Sequence, residues 1–159
     1  MAVTASNNRA REPWLRFAIK ALVLIALIVV GITYATDRYR IARDIQEVTS
    51  LNAGRMFVID RHQRTPERGV LMAFAAQGLE PYFDDGTTMG KRLVGMPGDL
   101  LKISANGVWV NYTHYDVGFM HLEDLGLDIQ AIERFEIIPD EHYFFLAPAP
   151  ESYDSRYWG

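Results

Sequence analysis

The chain begins with an apolar block and then changes texture. Residues 17–34 read FAIKALVLIALIVVGITY, in which Lys20 is the one charge. A helix of that length rises about 27 Å, close to the ~30 Å hydrocarbon core of a bilayer. Residues 21–30 show no polar face, which argues against a core helix of a soluble domain. From Gly54 onward the pattern becomes short apolar runs separated by turn residues. Residues 56–59, 69–74, 91–94, 100–103, 108–110 and 142–146 each read as a strand. Ala105-Asn106-Gly107 between two of these runs predicts a hairpin turn. Pro66, Pro81, Pro97, Pro139, Pro148 and Pro150 all fall between runs, as a mostly antiparallel β domain requires. Residues 125–135 fit a short helix or an irregular segment.

This pattern divides the chain into a tail over residues 1–13, a membrane anchor over 14–35 and a β domain over 36–159. Residues 36–48 carry Tyr39, Ile41 and Ile45 among charges, and are expected to extend the helix as a stalk. Trp14 and Tyr34 stand where interfacial aromatics belong. Lys20 can reach the headgroups along its methylene stem. Arg9, Arg11, Arg16 and Lys20 precede the span and place the tail in the cytoplasm, although Arg38, Arg40 and Arg43 follow it. The β domain then faces the periplasm or cell exterior. The competing reading is a cleaved leader ending near Thr33-Tyr34-Ala35.

Composition narrows the chemistry. There is no cysteine, which excludes a disulfide, a thiol nucleophile and a Cys-held metal. Net charge is −4 with no basic block in the body of the chain, so nucleic acid is not an expected partner. His62, His114, His121 and His142 lack ligand spacing and are expected to be surface or strand residues. No metal site, phosphate-binding glycine loop or other cofactor site is predicted.

The chain has three lysines. Lys20 belongs to the anchor, and Lys102 should alternate outward from Leu101 and Ile103. Lys91 leads an apolar strand, Lys91-Arg92-Leu93-Val94, that runs into Gly95-Met96-Pro97-Gly98-Asp99. A lysine can serve as a base near neutral pH only if burial lowers its pKa from about 10.4. A rigid strand inside an apolar environment supplies that condition. A serine hydroxyl needs such a base before it can attack a carbonyl.

Two strings carry a family resemblance. Lys91-Arg92-Leu93-Val94-Gly95-Met96-Pro97-Gly98-Asp99 resembles the lysine box of the type I signal peptidases. Ser152-Tyr153-Asp154-Ser155-Arg156-Tyr157-Trp158-Gly159 resembles their final box. The resemblance implies a signal-peptidase-like antiparallel β domain behind one transmembrane helix, anchored in a bacterial inner membrane. It implies a serine endopeptidase with a Ser-Lys dyad, Lys91 as general base and Ser152 bonded to that lysine. Asp154 and Arg156 would pair to brace the site.

The nucleophile implied by the resemblance is Ser50, in Thr49-Ser50-Leu51-Asn52-Ala53-Gly54. This stretch is similar to the serine box of the TraF-type conjugative-transfer pilin peptidases. Asn52 replaces the proline of that box, and Met56 or Phe57 its tyrosine. The Ala147-Pro148-Ala149-Pro150 approach to Ser152 resembles the same branch. Val48 stands where many members carry a second oxyanion donor. Members also continue past the final glycine with a further strand, so the C-terminal end is expected to be truncated or one strand short.

The favoured expectation is therefore maturation, by hydrolysis or cyclisation, of an exported precursor such as a conjugative propilin. Partners would be that precursor, membrane lipid and proteins of the conjugation or secretion apparatus. Two alternatives stand beside it. One is a general signal peptidase I that removes signal peptides. The other is an inactive peptidase-like scaffold of a secretion channel, motivated by the altered serine box.

Overall fold

A computed structural model describes residues 13–44, 54–80 and 82–159. It divides into two compact units, one of residues 1–40 with 60–62 and one of residues 41–59 with 63–159. The first unit is dominated by helix α1, Trp14–Arg38, whose 25 residues have no buried face. The helix is long and apolar enough to cross a membrane. It ends where Arg38 grips Asp60, with Nη2 2.7 Å and Nε 3.0 Å from Oδ2.

Of the stalk expected over 36–48, residues 36–38 are helical, Tyr39–Arg43 form a strand instead, and 45–48 lie outside the described residues. Tyr39 leaves the helix in extended geometry, and β1, Tyr39–Arg43, pairs with β2, Met56–Asp60, in a two-stranded sheet. The run Tyr39-Arg40-Ile41-Ala42-Arg43 mixes apolar and charged side chains without a strict period, and so suits a strand as well as a helix end. The ladder is extended by the Asp44 N–H, which donates to the Arg55 carbonyl at 2.9 Å.

The second unit holds two further sheets. The first orders β3 (Leu71–Ala75), β4 (Thr88–Gly95) and β9 (Phe144–Leu146) as β3-β4-β9. The other orders β5 (Leu100–Ser104), β6 (Gly107–Val110), β7 (Thr113–Tyr115) and β8 (Arg134–Ile137) as β7-β6-β5-β8. Every pairing in these two sheets is antiparallel. The fold is thus mainly β behind one apolar helix, as the alternation of runs and turns predicts. The Ala105-Asn106 hairpin is present, with Ser104 opposite Gly107. A single helical turn, α2 (Ile129–Ile132), precedes β8.

Inward positions of the sheets, with Val117, Ile132 and Ile138 from the segments beside them, meet in a core that also holds Val94, Leu101, Ile103, Val108, Val110, Phe144 and Leu146. Truncating one of the larger of these to alanine costs about 2–5 kcal/mol. A second cluster of Ala76, Leu79 and Met89 packs with Phe74, Phe83, Tyr153 and Trp158. This smaller cluster lies beside the site described next.

Candidate active site

Strand β4 decides the environment of Lys91. Alternate side chains of a strand share a face, so Lys91 lies with Met89 and Leu93. Their exposures are 5%, 5% and 0% respectively. Met72 on β3 is its register partner. Arg92, one residue on, faces outward. Lys91 is therefore a buried cation position set by strand period.

Its nearest polar partner comes from the end of the chain. Lys91 Nζ donates to Ser152 Oγ at 2.6 Å. Burial pushes the Lys91 ammonium below the ordinary lysine range, and the charge of Arg156 adds to this. Asp154 and Asp44 act in the opposite direction without cancelling it. Asp44, whose N–H donates to the Arg55 carbonyl, and Arg55 flank in sequence the stretch that contains Ser50. Ser50 itself, with Val48 and Thr49, lies outside the described residues.

The terminal segment is fastened to β9 by side chains. Outward-facing N–H groups of an edge strand need partners. The Phe145 N–H donates to Ser155 Oγ at 3.1 Å, and the Ala147 N–H to Asp154 Oδ2 at 3.0 Å. The serine and aspartate of the final motif thus finish the free edge of β9. Asp154 also caps a single helical turn, α3 (Ser155–Trp158), by accepting from the Arg156 N–H.

Arg156 closes the arrangement. Its Nε donates to Asp154 Oδ1 at 2.7 Å, and both side chains are 0% exposed. Its Nη2 donates to the carbonyl of Ser152 at 2.8 Å and to Asp154 Oδ2 at 2.9 Å. Its Nη1 bonds the Gly118 carbonyl. The pair that local sequence would most simply make a surface ion pair is a fully enclosed fork that holds the Ser152 backbone.

The Gly-Met-Pro-Gly-Asp turn is braced separately. Asp99 accepts from the Met96 N–H at 2.7 Å, from Asn111 Nδ2 at 2.8 Å and from Arg68 Nη2 at 2.9 Å. Burial alone would raise the Asp99 pKa, but these donors outweigh it and hold the carboxyl below its ordinary range. Arg68 also donates to the Val94 carbonyl at 2.5 Å. Arg68 and Asn111 are supports that the sequence did not single out, because nothing adjacent to either marks its partner.

Lys91 and Ser152 open into a cleft of about 150 Å³ lined also by Tyr82, Phe83, His121, Glu151 and Tyr153. Tyr82 stacks on Tyr153 at 4.9 Å between centroids. Tyr153 stacks in turn on Tyr157 at 5.5 Å. Among the described residues, no cluster of histidine and acidic side chains could hold a metal ion.

A lysine-bearing strand with a Gly-x-Pro-Gly-Asp turn, bonded to a serine of a buried Ser-x-Asp-Ser-Arg motif, coincides with a match along nearly the whole chain. The profile of the family described as Signal peptidase, peptidase S26 matches residues 14–159. The chain belongs to the peptidase S26 signal peptidase family. This is a family of serine endopeptidases. A relative from Synechocystis sp., described as Probable signal peptidase I-2, is 28% identical over 154 residues. The match covers 92% of this chain and 66% of that protein, so the chain spans just under two-thirds of the relative's length. No solved structure matches. In a signal peptidase family member, the long apolar α1 fits a membrane anchor.

Proposed function

We propose that the protein is a membrane-anchored serine endopeptidase that matures an exported precursor, with Ser50 as nucleophile and Lys91 as general base. The observation that carries this reading is the burial of Lys91, within 2.6 Å of Ser152 Oγ at the wall of an open cleft. A buried, desolvated amine is unprotonated at a pH where an exposed lysine is not, and can accept a proton.

The reaction runs as acyl transfer. The neutral Lys91 amine takes the Ser50 hydroxyl proton while Oγ bonds to the scissile carbonyl carbon. The resulting oxyanion is met by the Ser50 backbone N–H. Lys91 then returns the proton to the leaving amine as the C–N bond breaks. Water, or the precursor's own N-terminal amine, resolves the acyl-enzyme and gives hydrolysis or cyclisation. Ser152 orients Lys91, and Asp154 with Arg156 fixes Ser152.

The finer reading is a TraF-type peptidase with a propilin as substrate. It rests on Ser50-Leu51 with Gly54, and on the Ala147-Pro148-Ala149-Pro150 approach to Ser152. In that reading the tail is cytoplasmic, the anchor spans residues 14–35 of an inner membrane, and the β domain over 36–159 is periplasmic. Apparatus proteins of conjugation or type IV secretion are then its neighbours. The second reading, a general signal peptidase acting on many exported proteins, is favoured by the Synechocystis relative's description. Maturation assays on Ser50→Ala and Lys91→Ala test the enzyme. Both should leave precursor uncut in cells while the protein stays folded and in the membrane. Normal maturation by either would overturn the reading. A defect confined to one pilin precursor favours the first branch, and a defect across many exported proteins the second.

A further inference from the structure

His121 stands outside both sequence motifs, yet it touches the chain on both sides of Ser152. Its Nε2 lies 2.9 Å from the carbonyl of Glu151, the residue just before Ser152. Its ring meets Tyr153, the residue just after, edge-on at 5.9 Å and 81°. It meets Tyr157 at 5.5 Å and 71°. The His121 N–H donates to the Tyr157 hydroxyl at 3.3 Å, which fixes the loop that carries the ring. The side chain is 22% exposed and lines the same cleft as Lys91 and Ser152.

We propose that His121 is a positioning residue that holds the Ser152 turn, and through it the contact between Ser152 and Lys91. The need for it follows from the local backbone. The turn reads Ala147-Pro148-Ala149-Pro150-Glu151-Ser152, and its two prolines have no N–H with which to anchor it. The Ser152 N–H is spent within the turn on the Ala149 carbonyl, at 3.1 Å. Arg156 Nη2 holds the turn at the Ser152 carbonyl, at 2.8 Å, and more loosely at the Ala149 carbonyl, at 3.4 Å. His121 takes the Glu151 carbonyl that lies between those two, the carbonyl directly before Ser152.

The chemistry fixes the proton. A carbonyl oxygen only accepts, so Nε2 carries the hydrogen in this contact. Nδ1 faces the Asp124 carboxylate at 3.6 Å. Protonation of His121 would add a hydrogen on the Asp124 side and leave the Glu151 bond intact. Lys91, Tyr82 and Glu151 along the cleft, with Tyr153 and Tyr157 against the ring, are the other titratable groups around it. The hold therefore persists across the range in which Lys91 must be neutral.

This role rests on the reading of Lys91 as base only for its consequence, and its test reads the two apart. The full chain in detergent micelles, with lysines labelled at Cε, is compared as wild type, His121→Phe and His121→Gln. The phenylalanine keeps the ring contacts and loses the donor, whereas the glutamine keeps an amide N–H. Cross-relaxation between the Lys91 Hε and Ser152 Hβ protons should be strong in the wild type, weak in the Phe variant and restored in the Gln variant. The Lys91 titration midpoint should rise toward the ordinary lysine range in the Phe variant as water reaches the amine. Should that variant not fold, His121→Asn replaces it, its amide being too short to reach Glu151. Undiminished cross-relaxation in the folded donorless variant overturns the proposal. Cross-relaxation lost in that variant, with a wild-type midpoint near the ordinary ~10.4, upholds the positioning and removes the base reading instead.

Discussion

Lys91 and Ser152 are separated by 61 positions in sequence and by 2.6 Å between Nζ and Oγ. One side chain comes from the middle of a central strand, the other from a turn just before the terminal helix. Their meeting depends on β9 lying against β4 and on the terminal segment being tied to the far edge of β9. Each of those dependencies gives a prediction.

Gly95 sets the approach of β9. A Cβ on Gly95 would lie 2.5 Å from Ile138 Cδ1 and 2.8 Å from Phe144 Cβ. The register between the strands shifts between Leu93 and Gly95, which brings Phe144 to that point. Gly95→Ala should destabilise the fold by about 1–3 kcal/mol, as overpacking does. Denaturant unfolding checks this. The same variant should slow precursor maturation, because β9 carries the Ser152 turn.

The Asp154–Arg156 fork predicts strong non-additivity. Asp154→Ala leaves a fully buried guanidinium without its carboxylate, and Arg156→Met leaves the carboxylate alone. Each should cost about 3–5 kcal/mol. The double variant should cost clearly less than the two single losses combined. A double-mutant cycle by chemical unfolding reads the coupling directly.

Ser152→Ala removes a hydroxyl and little volume. A buried donor left unmet costs about 1–3 kcal/mol, equivalent to about 5–150-fold in rate if that penalty falls on the reacting arrangement. Maturation should slow by that factor. Thermal unfolding should change much less than in the Asp154 variant.

Lys91→Met tests the buried amine through stability. The native pKa of Lys91 is lowered by burial, whereas the unfolded chain titrates near 10.4. Between those values the unfolded state holds more protons, so stability rises with pH. The wild type therefore loses stability as pH falls from about 10.4 toward the native midpoint, and the loss levels off below it. The stability of the Met variant relative to wild type should grow over that same window. Unfolding measured at stepped pH shows whether the difference moves.

The site was legible where chemistry is local and illegible where it is not. The Lys91 and Ser152 strings are contiguous, and the structure packs Lys91, Ser152, Asp154 and Arg156 together as one buried group. The six runs read as strands overlap β2, β3, β4, β5, β6 and β9, with end shifts of a few residues. Strand β8 escaped because its apolar side chains, Phe135 and Ile137, face outward, while Arg134 and Glu136 take the other face. Tyr39–Arg43 departs from the expected stalk because its mixed pattern accepts either element, and only pairing with β2 decides it. His121, Arg68 and Asn111 act through partners 12 to 36 positions away, as the Asn111–Asp99, Arg68–Asp99 and His121–Tyr157 bonds illustrate. Spacing along the chain carries no trace of such contacts.

The central claim is that Lys91 is a neutral amine in the working protein. Its titration, followed at Cε in the full wild-type chain against Lys20 and Lys102, tests this most directly. The account predicts a Lys91 midpoint well below the ordinary ~10.4, returning toward that value when Ser152 and Asp154 are unfolded by denaturant. A native Lys91 that titrates with an exposed lysine would contradict it.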